Sequence, residues 1–335
     1  MVEVYKNFEL MTMSPVFKTL MWRRRFSHAG EFQLVTNFTA EMFEIFGLGN
    51  IVYHRKVDEA AFVESRHVVQ TVENDLVLVV RGRFLPSILD RRVATAQGHF
   101  TLQNLLTNIV NHNFLASAGA RRSMAGSVRL LPFTLPSINV AADYHNRNAY
   151  EMVSRLLEEH GLGIRAAYNF ATSTIDLSFY QPQETEVVFS KQFSNIIEQD
   201  YMDDTQPYRN VVFVREGDTI HIHNDALHTG INRREMSTSA ASNESPAQAA
   251  IDALRQNQGR RTLSSVVNPF NKQFEYLTDW DIGSIVQSEN RELAYSEREV
   301  VTEITEYYDS TGLNIEVNLG DIKERGIANG YTNRT

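Results

Sequence analysis

The chain has 335 residues, a formal net charge of −9 and no cysteine. The missing thiols exclude disulfides, thiolate metal sites and cysteine nucleophiles, and the acidic balance argues against a nucleic-acid-binding role, which needs a basic surface for phosphates. A composition of 42% hydrophobic and 22% charged residues supports a packed core, no run approaches the roughly 18 apolar residues of a membrane span, and the length suits two or three domains.

The opening MVEVYKNFEL alternates polar and apolar residues without the apolar core of a signal peptide, so it is expected as a first strand at the start of the mature chain. Leu20 to Phe26 alternate through Trp22 and Arg24, Ser27-His28-Ala29-Gly30 is a turn signal, and Glu31 to Val35 resume the alternation, which predicts a hairpin. Gly30 is read there as supplying a backbone conformation closed to larger residues. Thr39 is placed to cap a short helix reaching Phe46, ended by Gly47 and Gly49. Asn50 to Tyr53, Ala61 to Val72 and Leu76 to Phe84 read as strands, the last two joined at Glu73-Asn74-Asp75. Residues 1–95 are expected to form a first small barrel.

The period then changes. Pro86 suits the first turn of a helix running to about Val93, Thr101 caps a second with an apolar stripe from Leu102 to Val110, and Asn148 to His160 make a third, stopped by Gly161. With a hairpin of Ile164 to Ala171 and Thr174 to Tyr180, residues 96–185 read as an α+β middle domain. Strands return at Glu186 to Phe189, Asn210 to Arg215 and Thr219 to Asn224, then at Glu275 to Leu277, Ile285 to Gln287, Glu299 to Tyr307 and Leu313 to Leu319. Residues 186–235 and 262–322 are expected as a second barrel, 236–261 as an inserted polar loop and helix starting at Pro246, and 323–335 as a flexible tail. The fold class is therefore α+β but β-dominated, with two small β-barrel-like domains flanking an α+β middle domain.

Few residues suggest chemistry. His221-Ile222-His223 sets two imidazoles on one strand face, a metal-ligand spacing, but two ligands without a third define no site, and a solvated strand face is the plainer reading. Asp203-Asp204 and the pair Asp279/Asp281 fit turn chemistry better than acid–base work. No Gly-x-Ser-x-Gly, Walker loop, dinucleotide fingerprint or His-Glu-x-x-His occurs. In Arg23-Arg24-Arg25 the middle residue points away from the other two, so the three form no continuous basic patch. No catalytic, cofactor-binding or metal-binding residue is assigned.

Four segments carry a resemblance: Leu20 to Phe26 followed by Gly30-Glu31-Phe32-Gln33-Leu34; Gly82-Arg83-Phe84-Leu85-Pro86-Ser87-Ile88-Leu89-Asp90-Arg91-Arg92-Val93; Asp279-Trp280-Asp281-Ile282-Gly283-Ser284-Ile285-Val286; and Ile304-Thr305-Glu306 to Gly312, closing on Leu319-Gly320. In this order they resemble the siphophage tail-hub family of baseplate hub and prophage tail proteins, with Ser284 standing where that family commonly has aspartate. The resemblance implies a baseplate-hub-like fold and a non-enzymatic structural role, as a homotrimer whose two similar barrels meet a sixfold ring. It further implies docking on the distal tail protein ring, contact with the tape-measure protein and with tail fibre or receptor-binding proteins, and a place at the tail tip of a virion assembled in the host cytoplasm. Specific nucleic-acid recognition and stable membrane insertion are not expected. The resemblance also implies that this chain ends where many members of that family begin a separate enzymatic or receptor-binding extension. The alternatives are a component of the hexameric distal tail ring itself, or a metal-dependent cell-wall hydrolase using His221 and His223.

Overall fold

The N-terminal alternation yields two strands, β1 (Val2–Lys6) and β2 (Glu9–Met13), because Asn7 and Phe8 take left-handed conformations and reverse the chain. This is a computed structural model, which describes residues 2–13, 16–70, 74–115, 118–240, 245–268 and 270–321. The expected turn at Glu73, part of the polar loop (241–244) and the tail 323–335 lie outside the described residues. By contact, residues 1–199 with 264–335 form one compact unit and residues 200–263 another.

In the larger unit, β3 (Thr19–Arg25) and β4 (Glu31–Asn37) form the predicted hairpin, with alternate residues buried. Gly30 is needed for a different reason from the one expected. Its φ is not positive, but a Cβ there would stand 2.2 Å from the carbonyl oxygen of Arg23. Thr39 caps α1 (Ala40–Ile45), its Oγ1 accepting the Met42 N–H at 3.0 Å.

The next apolar stretch is not one strand. After β5 (Ile51–His54) it divides into β6 (Glu59–Phe62), paired with β5, and β7 (Ser65–Gln70), paired with β8 (Leu76–Arg83). The chain changes sheet at Val63 and Glu64, a corner that hydrophobicity alone does not mark. Gly82 lies against this corner, where a Cβ would fall 1.7 Å from the Phe62 carbonyl oxygen.

The helix expected at Pro86 is a 3-10 helix over Leu85–Arg91. A ribbon follows that the sequence pattern hid: β9 (Val93–Thr101) pairs across α2 (Leu102–Phe114) and β10 (Val128–Leu130) with β11 (Asn139–Asn148). Its residues are largely polar and exposed, so no two-residue alternation signals it. Thr101 and Asn148 cap α2 and α3 (Ala149–Glu159) through side-chain oxygens 3.3 and 3.1 Å from Asn104 N and Glu151 N. The hairpin β12 (Gly163–Asn169) and β13 (Thr174–Tyr180) is as predicted, and β14 (Gln183–Ser190) follows.

Farther on come β15 (Ile196–Asp204), β16 (Val211–Glu216), β17 (Thr219–His223), β18 (Glu235–Ser239), α4 (Pro246–Gln256), β19 (Arg260–Val267), β20 (Ser284–Asn290), β21 (Tyr295–Asp309) and β22 (Gly312–Asp321). Residues 236–239, expected in a polar loop, belong to β18, which runs parallel to β16. Their backbone hydrogen bonds hold a sequence too polar to read as a strand. Glu275 to Leu277 are not a strand either. Leu277 has a φ of 70° and Tyr276 makes only an isolated bridge to Trp280.

Strands from both ends of the chain share one sheet in the larger unit, in the order β22-β21-β3-β4-β8-β7, with β20 joined to β21 and β14 joined in turn to β20. Its inner face, with Leu20, Trp22, Phe32, Leu34, Leu78 and Val80, packs on Val2, Val4, Val52 and Ala61 of the sheet β2-β1-β5-β6. The opposite face of that second sheet, with Ile51, Tyr53, Ala60 and Phe62, packs on Leu85, Leu89 and the apolar stripes of α2 and α3. One core therefore runs across residues 95 and 96, and β1, β5 and β6 are covered on both faces. In the smaller unit, Val212 and Val214 of the sheet β17-β16-β18 pack under Ala249, Ala250 and Ala253 of α4.

Candidate functional site

Strand alternation turns Leu20, Trp22 and Arg24 inward, so one guanidinium enters an apolar layer with 1% of its surface exposed. A buried charge survives only when paired and hydrogen-bonded. Arg24 Nε and Nη2 donate to the two oxygens of Glu59 on β6 at 2.9 and 2.8 Å, a bidentate fork. Nη1 donates to Tyr276 Oη at 2.9 Å, and both Nη atoms reach Asp281. Burial works against the charge, but Glu59, Tyr276 and Asp281 together hold the Arg24 pKa well above its ordinary value.

The network continues on the far side of Tyr276. Its hydroxyl donates to Glu306 Oε1 at 2.7 Å, and Tyr308 donates to the other oxygen. Glu306 is wholly buried on β21, one inward register step from Ile304, which lies opposite Arg24. His54 Nε2 stands 3.8 Å from Glu306, with the imidazole packed between Trp22 and Tyr308. Burial pushes the His54 pKa down to about 4 against the pull of Glu306. Burial also raises the pKa of Tyr276 and Tyr308, with Glu306 adding to both.

Arg23 and Arg25 occupy the outer face of the same strand. Both bond Glu31 at 2.9 Å, and Arg25 Nε bonds Glu303 at 2.9 Å. Farther along, Arg83 joins Glu64 at 2.8 Å and Asp90 at 2.9 Å. Acidic and basic strands thus alternate across the sheet, and the three arginines form no basic patch.

The segments that carry the sequence resemblance meet at this junction. The Trp22 ring lies 4.5 Å from that of Phe84 and 5.7 Å from that of Phe32. Asp281 is held by its N–H bond to Ser284 Oγ at 2.9 Å. Gly283 has a φ of 83°, and a Cβ on it would stand 2.6 Å from the Phe26 ring. Sequence reasoning placed Arg24 on the opposite face from its neighbours, but missed Glu59, His54, Tyr276 and Glu306. The signal was available, since an inward-facing arginine between Trp22 and Phe26 requires buried carboxylates elsewhere in the chain. Asp281, expected only in turn chemistry, also neutralises Arg24.

The other candidates lie apart. His221 and His223, on β17 of the smaller unit, stand opposite Val214 and Val212, and His221 Nε2 is 3.0 Å from Glu216. Among the described residues no group of three or more His, Cys, Asp or Glu is placed to hold a metal. Asp204 accepts the Gln206 N–H at 2.7 Å and Asp279 the Glu275 N–H at 2.6 Å, both turn bonds. Among the described residues no helix is long and apolar enough to cross a membrane.

Comparison with known proteins adds a family and a fold. The family described as Siphovirus ReqiPepy6 Gp37-like protein matches residues 4–321. The structure resembles the 43 kDa tail protein of prophage MuSo2 from Shewanella oneidensis, with a TM-score of 0.59 and 11% identity over 95% of this chain and 97% of that one. It resembles a tail protein from Neisseria meningitidis MC58, with a TM-score of 0.56 and 14% identity over 95% of each chain. It also resembles prophage tail protein gp18 from Listeria monocytogenes EGD-e, with a TM-score of 0.54 and 12% identity over 95% of this chain and 94% of that one. No curated protein matches the sequence.

Proposed function

The chain belongs to the Siphovirus ReqiPepy6 Gp37-like protein family and has the fold of phage tail and baseplate structural proteins, and on that basis we propose that it is the hub of a phage tail tip. The observation that carries this reading is the likeness over 95% of the chain to whole tail proteins. In this role the protein is a homotrimer without catalytic activity. It docks on the distal tail protein ring, lines or closes the tube around the tape-measure protein, and connects it to tail fibre or receptor-binding proteins.

Residues 1–95, and 186–235 with 262–322, are the two barrel-like bodies of this proposal, joined by 96–185. Three subunits with two equivalent bodies each can meet a sixfold ring. The charge junction suits such a part, because Arg24 spends its donors on the protein's own carboxylates and ties the two ends of the chain into one rigid piece. Cross-linking of intact tails followed by mass measurement tests the proposal. Three linked copies, joined also to the ring protein, are expected. Six copies closed on themselves would identify the ring component instead.

A further inference from the structure

A five-residue pattern, Phe-x-Lys-Gln-Phe, occurs twice in the larger unit: Phe189-Ser190-Lys191-Gln192-Phe193 and Phe270-Asn271-Lys272-Gln273-Phe274. The two copies share one local bond, although Lys191–Phe193 form a 3-10 turn after the buried Phe189 and residues 272–274 a bend after the exposed Phe270. In each, the side chain of the second residue accepts the N–H of the glutamine, Ser190 Oγ from Gln192 at 3.3 Å and Asn271 Oδ1 from Gln273 at 2.8 Å. Such a local bond fixes a turn and throws the lysine and glutamine outward. The copies also lie side by side. Asn271 Nδ2 donates to the Phe193 carbonyl at 3.1 Å, and the rings of Phe193 and Phe274 meet edge to face at 6.4 Å.

The result is a paired loop with an unusual surface. Phe270 is 79% exposed and Phe193 39%, and both lysines are exposed. Neither Lys191 nor Lys272 has an ion pair among the described residues, whereas Arg23, Arg25 and Arg83 are all engaged within the chain. Two exposed phenylalanines beside two uncommitted cations are costly to leave in water and suited to a contact with apolar and acidic groups.

We infer that this paired loop is a contact surface for a second copy of the same chain. The inference rests on the homotrimer reading and names one face of that assembly. Each copy carries a net charge of −9, so the mean field between copies is repulsive and cations placed at a contact offset it. Lys191 and Lys272 supply those cations to a neighbour rich in carboxylates, and Phe193 and Phe270 supply the apolar anchor.

Sedimentation velocity on the full chain tests this with Lys191→Glu/Lys272→Glu and, separately, Phe270→Ser, all at exposed positions. Tryptophan fluorescence and circular dichroism check that each variant is folded. The wild type is expected to sediment as a trimer, and each variant to associate at least tenfold more weakly. A trimer unaffected by either variant overturns the inference and leaves the homotrimer standing. A wild-type monomer at every concentration overturns both. Loss of binding to phosphatidylglycerol vesicles in a variant that still trimerises assigns the loop to a lipid surface and also overturns the inference.

Discussion

Strands β3 and β17 pose the same physical problem and solve it differently. Each carries basic side chains on the face that turns toward packed valines, leucines or aromatics. In β3, Arg24 is 1% exposed and meets Glu59, Tyr276 and Asp281. In β17 the imidazoles of His221 and His223 are only half-buried opposite Val214 and Val212, while Ile220 and Ile222 face outward, 63% and 46% exposed. Alternation identifies two faces of a strand without saying which is inside. A full charge is drawn inward only where several distant segments bring compensating groups. A half-exposed imidazole needs far less, and at His221 the contact with Glu216 suffices.

The comparison predicts unequal sensitivity to substitution. Gly82→Ala, whose new Cβ would overlap the Phe62 carbonyl at 1.7 Å, should cost more than the roughly 1–3 kcal/mol of ordinary overpacking and leave little soluble folded protein. Arg24→Ala leaves Glu59 buried without its cation and should destabilise the larger unit by about 3–5 kcal/mol. Urea titration followed by tryptophan emission reads this unit selectively, because both tryptophans, Trp22 and Trp280, belong to it.

A smaller effect depends on pH. Burial lowers the pKa of His54 in the folded chain to about 4, from an ordinary value of 6.5. The unfolded chain therefore takes up the proton first, and stability that is complete above pH 6.5 is lost as the pH falls toward 4, by about 3 kcal/mol. His54→Gln should flatten the urea midpoint across that window, and an unchanged slope would remove His54 as its source. At the small end, His221→Ala should shift stability by less than about 0.5 kcal/mol, since it removes one exposed contact. A loss like that of Arg24→Ala would erase the contrast between the two strands.

Much of this was legible in the sequence. The β3–β4 hairpin, the caps at Thr39 and Thr101, and the opposed direction of Arg24 followed from alternation and local hydrogen bonding. The β9–β11 ribbon and β18 were not legible, because polar exposed strands are held by backbone bonds with partners distant in sequence. The break between β6 and β7 was hidden for a related reason. Both halves are rich in strand formers, and only the change of sheet at Val63 and Glu64 separates them. The junction itself needed the fold, since Glu59, Tyr276, Asp281 and Glu306 come from three stretches far apart in the chain.

The central claim, that this chain is a trimeric hub of a phage tail tip, is tested most directly by electron cryomicroscopy of the intact tail. Three copies around the tail axis next to a sixfold ring are expected, with the larger unit of each repeated in threefold register. Six equivalent copies in a single ring, or a tail tip without this chain, would contradict it.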